Sequence, residues 1–349
     1  MKAAFLTALR EIAVREIPPP RLSHARDVLL RIESVGICGS DVHYYTAGRI
    51  GAAAVKYPFI VGHECSGTVL EAGAEVTRVR PGQRVAIDPL VSCGECDQCR
   101  QGRAHTCRRQ RFLGLPGQLE GALAERLVMP EECCHAIADS LTMDQAVMAE
   151  PLSIGVHAQR LAQIPPGAKI AVLGSGPIGL CTLLACRVAA ADCTAYVTDL
   201  IDERLPVAAQ CGAAWTGNPR QADIVKAIRA AEPLGLDAVF ECAGQQETLD
   251  QAIGLLKPGG TLLILGIPEV DRVSFPIHTL RRKELVIQNV RRQNRCVDDA
   301  IAMIAQGRIN VEPLMTHRFP LAETAAAFEL VAAYRDGVVK AFIHPGEPS

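Results

Sequence analysis

The sequence predicts an α/β protein of two domains, a mostly-β module followed by a doubly wound parallel sheet. Up to about Leu127, apolar and polar residues alternate in short runs broken by Gly and Pro, the period of half-buried strands. Beyond Pro166, continuous apolar runs alternate with stretches of helical spacing, the pattern of a parallel sheet covered by helices. At 349 residues the chain exceeds what one simple core holds, so two domains are expected.

In chain order, VLLRIESVGIC and HECSGTVLEAG alternate with a β-branched bias, and Pro81-Gly82 in RPGQRVAI turns into a third strand. The character changes around Pro151–Pro166, where SIGVHAQRLAQI has helical spacing and stops at Pro165-Pro166-Gly167. KIAVLGSGPIGLCTLLACRVAA then reads as a buried strand, a glycine turn and an apolar helix. LDAVFECAG, GTLLILGI and ELVIQNV supply further strands between the helical stretches ADIVKAIRAAE and TLDQAIGLL. The last segment holds a helix, VDDAIAMIAQG, and a strand-like VVKAFIHP. No internal repeat interrupts this order.

Composition excludes several classes. A formal net charge of −2 gives no electrostatic basis for binding nucleic acid or an anionic membrane. Arg10 and Glu11 cut the N-terminal apolar stretch, which rules it out as a secretory core, and no run reaches membrane-spanning length. Fourteen cysteines without an export signal point to a reducing compartment, the cytoplasm. Most sit inside apolar runs, as Cys181, Cys186, Cys211 and Cys242 do, where a thiol behaves as a small hydrophobe.

Three stretches carry chemistry. In CGECDQCRQGRAHTC, Cys93, Cys96, Cys99 and Cys107 have the spacing of a closed four-thiolate zinc site, which leaves no open position and is therefore structural. Between Cys38 and Glu64 the chain places a thiol, an imidazole and a carboxylate, the donor set of a borderline-soft metal. Cys38, His63 and Glu64 could ligate, with Glu150 in AEPLSIG as a further candidate and Asp41 as the partner of the imidazole's other N–H. GSGPIG fits the dinucleotide fingerprint at Gly174, Gly176 and Gly179, with a strand before it, a helix after it and Asp199 about twenty residues on. The helix N-terminus suits phosphates, and Asp199 would accept from ribose hydroxyls and repel a 2′-phosphate, favouring NAD.

Together these residues resemble the zinc-containing medium-chain dehydrogenases, and within them the sorbitol (L-iditol, xylitol) dehydrogenases. GICGSDVHYY followed by GRIG, then GHECSGTV, EPLSIGVHA, GSGPIG, VTDL and THRFPL carry the resemblance over nearly the whole chain. It implies a GroES-like catalytic domain built from both ends of the chain, residues 1–152 and 291–349, around a Rossmann domain at 153–290. It also implies a homotetramer. Cys38, His63 and Glu64 would hold one catalytic zinc, and Glu150 would ligate it or hold its water. Tyr44, Glu150, Arg292 and Gln293 would face a polyol. Ile178, Asp199, Arg204, the Leu265–Gly266–Ile267 turn and the Val290–Arg291–Arg292 stretch would contact the dinucleotide. The chain departs from the subgroup at VRRQN, where VFRYCN is typical, and at Leu115, where threonine is common.

The expected reaction is oxidation of a secondary hydroxyl of a sugar alcohol to the ketose, with NAD as acceptor. The proton has two candidate routes, Ser40 through the cofactor ribose to His43, or a water at the zinc with Glu150. Arg291, Arg292 and Arg295 motivate an alternative substrate, an anionic sugar acid or polyol phosphate. A zinc-free NAD-binding structural or sensor protein is the alternative outside enzymes.

Overall fold

The computed structural model describes residues 1–346, which divide into two compact units: residues 1–150 with 297–346, and residues 151–296.

The first unit is built on a seven-stranded sheet whose centre is the strand Asp27–Gly36. One edge of this strand pairs antiparallel with Glu64–Ala72, which continues to Arg84–Ile87 and Cys134–Ala136. Its other edge is shared by Arg126–Pro130 and by Lys340–His344, whose far side takes Met315–Pro320 in parallel. The N-terminal strands Lys2–Ala8 and Glu11–Glu16 form a separate antiparallel pair. Val28, Leu30, Ile32, Val35, Val69, Leu123 and Phe328 lie in the core. Val28 and Phe328, 300 positions apart, thus share one core, so neither end of this unit buries its apolar face without the other.

The strand-and-turn reading of the first 127 residues misses a helix at Gly39–Ala47. Its start is legible afterwards: Asp41, at the third helical position, accepts from the Cys38 backbone N–H at 3.0 Å, half of a capping box. Gly48 closes it in the left-handed region at φ 70°.

The second unit is a six-stranded sheet, parallel throughout. In space the strands run Trp215–Gly217, Thr194–Thr198, Lys169–Leu173, Leu236–Glu241, Leu256–Ile264, Val286–Asn289. This is the doubly wound order 3-2-1-4-5-6, whose ligand crevice lies where the strand order reverses. Here that is the C-terminal edge between Lys169–Leu173 and Leu236–Glu241. The helical stretches appear as Pro177–Ala189, Ile224–Ala231 and Gln246–Leu255.

The unit boundaries differ from those expected. The first falls at Glu150, inside the helix Ala149–Ala162, two residues earlier than 152. The second falls at Cys296 rather than 290, because the connecting segment is tied to the second unit. Val290 N–H donates to Ile264 O at 2.9 Å, and Arg160 donates to Cys296 Sγ at 3.2 Å. Among the described residues, no helix is long and apolar enough to cross a membrane.

Candidate active site and cofactor turn

The pairing register of the first unit creates the metal-ligand cluster. Cys38 stands two residues past the end of the central strand, and Glu64 begins the neighbouring strand opposite Gly36. Asp41 is buried at 1% exposure and organises the approach. Its Oδ2 accepts from Cys38 N–H, its Oδ1 accepts from Gly62 N–H at 3.1 Å, and Oδ1 stands 3.4 Å from His63 Nδ1. An imidazole whose Nδ1 faces a carboxylate keeps Nε2 as the donor for a metal. Phe112 packs on the His63 ring, with centroids 5.3 Å apart. Burial pulls the His63 imidazole down, but Asp41 and Cys38 outweigh it and hold its pKa well above the ordinary value.

Glu64 is fully buried, and its two oxygens have different surroundings. Oε2 is held by Lys340 Nζ at 2.5 Å, whereas Oε1 has no hydrogen-bond partner among the described residues. A buried carboxylate oxygen without a donor costs free energy, and a cation there removes that cost. The ligating atoms of Cys38, His63 and Glu64 lie within 4.8 Å of one another. One sulfur, one nitrogen and one oxygen fit zinc in a site that keeps a position open. Glu150 stays outside that group of three. Its carboxyl is buried, and burial with the Glu64 charge pushes its pKa up to about 7, against the pull of His63 and Lys340.

Ser40, His43 and Tyr44 sit on the Gly39–Ala47 helix at positions i, i+3 and i+4, one face of the helix. Ser40 and His43 are half-buried, and Tyr44 is buried. The helix is anchored by Tyr45, whose hydroxyl donates to Glu329 at 2.7 Å and whose ring meets Phe328 edge-on.

The four remaining candidate ligands converge in the loop after the strand Leu90–Val91. The Cys93, Cys96, Cys99 and Cys107 sulfurs are 3.4–4.0 Å apart along the four close pairs. A tetrahedral zinc with four thiolates places its sulfurs about 3.8 Å apart, so the cluster fits that ion. Backbone N–H groups of Cys93 and Arg109 donate to Cys107 Sγ. The Glu95 amide, ahead of the other donors, draws the Cys93 thiol down to about 6.

In the second unit the glycine turn has the geometry its sequence predicts. Gly174 has φ 100°, and a side chain at Gly179 would place its Cβ 1.8 Å from Gly174 O. Gly176 precedes the helix Pro177–Ala189, which also carries Ile178. Asp199 is fixed beside the turn: Oδ2 accepts from Ser175 N–H and Oγ at 2.7 and 2.9 Å, and Oδ1 from Ile201 N–H. Arg204 brings a guanidinium nitrogen 3.6 Å from where a Gly176 Cβ would stand. Leu265 and Gly266 donate to Glu241 O, while Ile267 is exposed.

Glu241 escaped the sequence reading. At the end of its strand, its carboxylate accepts from Ala243 N–H, Gly244 N–H and Thr248 Oγ1, and its carbonyl holds the 265–266 turn. The signal is an acid closing a buried strand just before a glycine, as in FECAG. Arg291 and Arg295 are exposed, and Arg292 and Arg295 adopt positive φ of 52° and 56°. Gln293 is buried, and its amide oxygen accepts from Cys296 N–H at 2.8 Å. Leu115 packs against the core of the first unit.

Comparison with known proteins agrees with this geometry. Residues 24–139 match the alcohol dehydrogenase GroES-like domain, and residues 177–306 match the zinc-binding dehydrogenase family. A sorbitol dehydrogenase of Bacillus subtilis (strain 168) is 35% identical, aligned over 99% of this chain and 97% of its own. An L-idonate 5-dehydrogenase of Vitis vinifera is 34% identical over 95% and 91% of the two chains. A solved zinc-binding dehydrogenase from Sinorhizobium meliloti 1021, bound to NADP, superposes with a TM-score of 0.90 at 32% identity, covering 99% of each chain. With the ligand cluster, the cysteine loop and the glycine turn in place, the chain belongs to the zinc-containing medium-chain dehydrogenases, in the sorbitol dehydrogenase-like subgroup, and is an oxidoreductase.

Proposed function

We propose that the protein oxidises a secondary carbinol of a neutral C5 or C6 polyol to the ketose, with NAD as acceptor and two zinc ions per chain, one catalytic and one structural. The observation that carries the reading is the buried, unpartnered Glu64 Oε1 grouped with Cys38 and His63, and the sorbitol dehydrogenase relative supports the substrate class. When bound, zinc supplies Lewis acidity that lowers the pKa of the substrate hydroxyl, and NAD accepts the hydride. Cys38, His63 and Glu64 hold the metal while Asp41 orients His63. Tyr44 and Arg292 hydrogen-bond the remaining hydroxyls. Glu150 and the Ser40–His43 pair offer two places for the released proton.

Asp199 supports NAD over NADP, since a carboxylate at the ribose accepts from its hydroxyls and repels a 2′-phosphate. The expected preference is about tenfold to a hundredfold in kcat/KM, roughly 1.4–2.8 kcal/mol. Asp199→Ala should narrow it. Equal use of NADP by the unmodified enzyme would remove Asp199 from the ribose.

A second reading, an anionic sugar substrate, is favoured by the L-idonate dehydrogenase relative and by the RRQNR segment. The two are separated by initial rates with xylitol, sorbitol, galactitol, L-iditol, sugar acids and polyol phosphates at two ionic strengths. Neutral polyols should turn over, with epimers differing by roughly tenfold to a hundredfold, because an unpaired buried polar group costs about 1–3 kcal/mol. Turnover of anions alone, falling steeply with salt, would replace the neutral reading.

A further inference from the structure

Lys340 is at 1% exposure on the C-terminal strand, 276 residues from Glu64, yet its ammonium holds Glu64 Oε2 at 2.5 Å. It also donates at 3.2 Å to the carbonyl of Ile37, the residue before Cys38. The meeting is set by the register. Lys340–His344 and Glu64–Ala72 flank the central strand at its Gly36 end, with Phe342 and Glu64 both paired to Gly36. Without a side chain at Gly36, the carboxylate and ammonium reach each other across the strand. Lys340 therefore occupies one oxygen of a residue whose other oxygen completes the ligand group.

We propose that Lys340 is a positioning residue that competes with the catalytic metal for Glu64, limiting Glu64 to one ligating oxygen and keeping the metal exchangeable. The inference rests on the metal reading above. Two cations that share one carboxylate weaken each other's hold, and the coupling is reciprocal. Removing the ammonium takes the hydrogen-bonded counter-charge from buried Glu64 in the metal-free chain, so the metal-loaded state gains relative to the metal-free state. Freed Oε2 can then also reach the metal and close the position that substrate needs.

The test uses full-length enzyme loaded with Zn²⁺ or with Co²⁺ as a spectroscopic substitute, following release of the catalytic metal to a chelator. Lys340→Met should slow release on the order of tenfold and weaken the visible Co²⁺ band, as a four-coordinate ion gains a ligand. Lys340→Arg, which keeps a cation on Glu64, should release metal at close to the native rate with a native spectrum. Lys340→Gln is the second uncharged variant, should the methionine not fold. Native or faster release in the uncharged variants overturns the proposal, as does failure of both to fold with zinc in excess. An unmodified chain that loads no metal at Cys38 overturns the proposed function instead, a result visible before any variant is made.

Discussion

Cys38→Ser should reduce kcat/KM by roughly a thousandfold or more, about 4 kcal/mol of transition-state stabilisation, while the purified protein keeps one of the two zinc ions proposed above. A serine hydroxyl does not ionise near neutral pH, so the site loses its soft anionic donor and with it the metal. The four-cysteine loop shares no residue with the cluster of Cys38, His63 and Glu64 and should hold its ion unchanged. Cys99→Ser makes the reciprocal case. The segment from Cys93 to Cys107 contributes mostly polar and glycine residues, a four-residue helix at Asp97–Arg100 and a single 3-10 turn at Ala104–Thr106, so its order is expected to depend on the metal. That variant should lose thermal stability first and activity only in consequence. Metal analysis with rates and melting curves reads both; Cys38→Ser at the native rate, or losing both ions, would sink the division of labour.

The features legible in the sequence share a property: their chemistry is written at short spacing. Cys93, Cys96, Cys99 and Cys107 lie within fifteen residues, and the glycine turn within six. Cys38, His63 and Glu64 were legible because the donor types are unusual together. The alternation of apolar runs and helical stretches likewise gave the parallel sheet, since each βα unit is local. What stayed hidden was set by distant pairing. Nothing near Lys340 in VVKAFIHP distinguishes a buried ion-pairing lysine from a surface one, because its partner enters from the other end of the chain. Gly36 reads as one more glycine in a strand. Nothing in VRRQN shows that the Gln293 oxygen accepts from Cys296 N–H three residues on. The helix at Gly39–Ala47 was missed because its aromatic and β-branched residues suit a strand as well as a helix, and the cap from Asp41 decided otherwise.

Gly36→Ala should be damaging, because it places a single methyl group against the Glu64–Lys340 pair. An alanine Cβ there would stand 2.5 Å from Glu64 Oε2 and 2.9 Å from Val147 Cγ1, both below any ordinary contact. Neither neighbour moves freely: Val147 is buried in the helix Met143–Val147, and Lys340 holds the Glu64 carboxylate. Overpacking of this kind costs about 1–3 kcal/mol. If the carboxylate is pushed off the ammonium, a buried ion pair is broken as well, which adds toward about 3–5 kcal/mol. The expected result is a clear drop in melting temperature together with loss of the catalytic zinc on dialysis, since Glu64 Oε1 moves with Oε2. Gly39→Ala is the matched control. It adds the same methyl three residues away, where nothing lies within 4 Å, and alanine is the better helix residue by up to about 1 kcal/mol, so stability should hold or rise. Equal melting temperatures for the two variants, with both zinc ions retained in Gly36→Ala, would show that Glu64 does not depend on the space at Gly36.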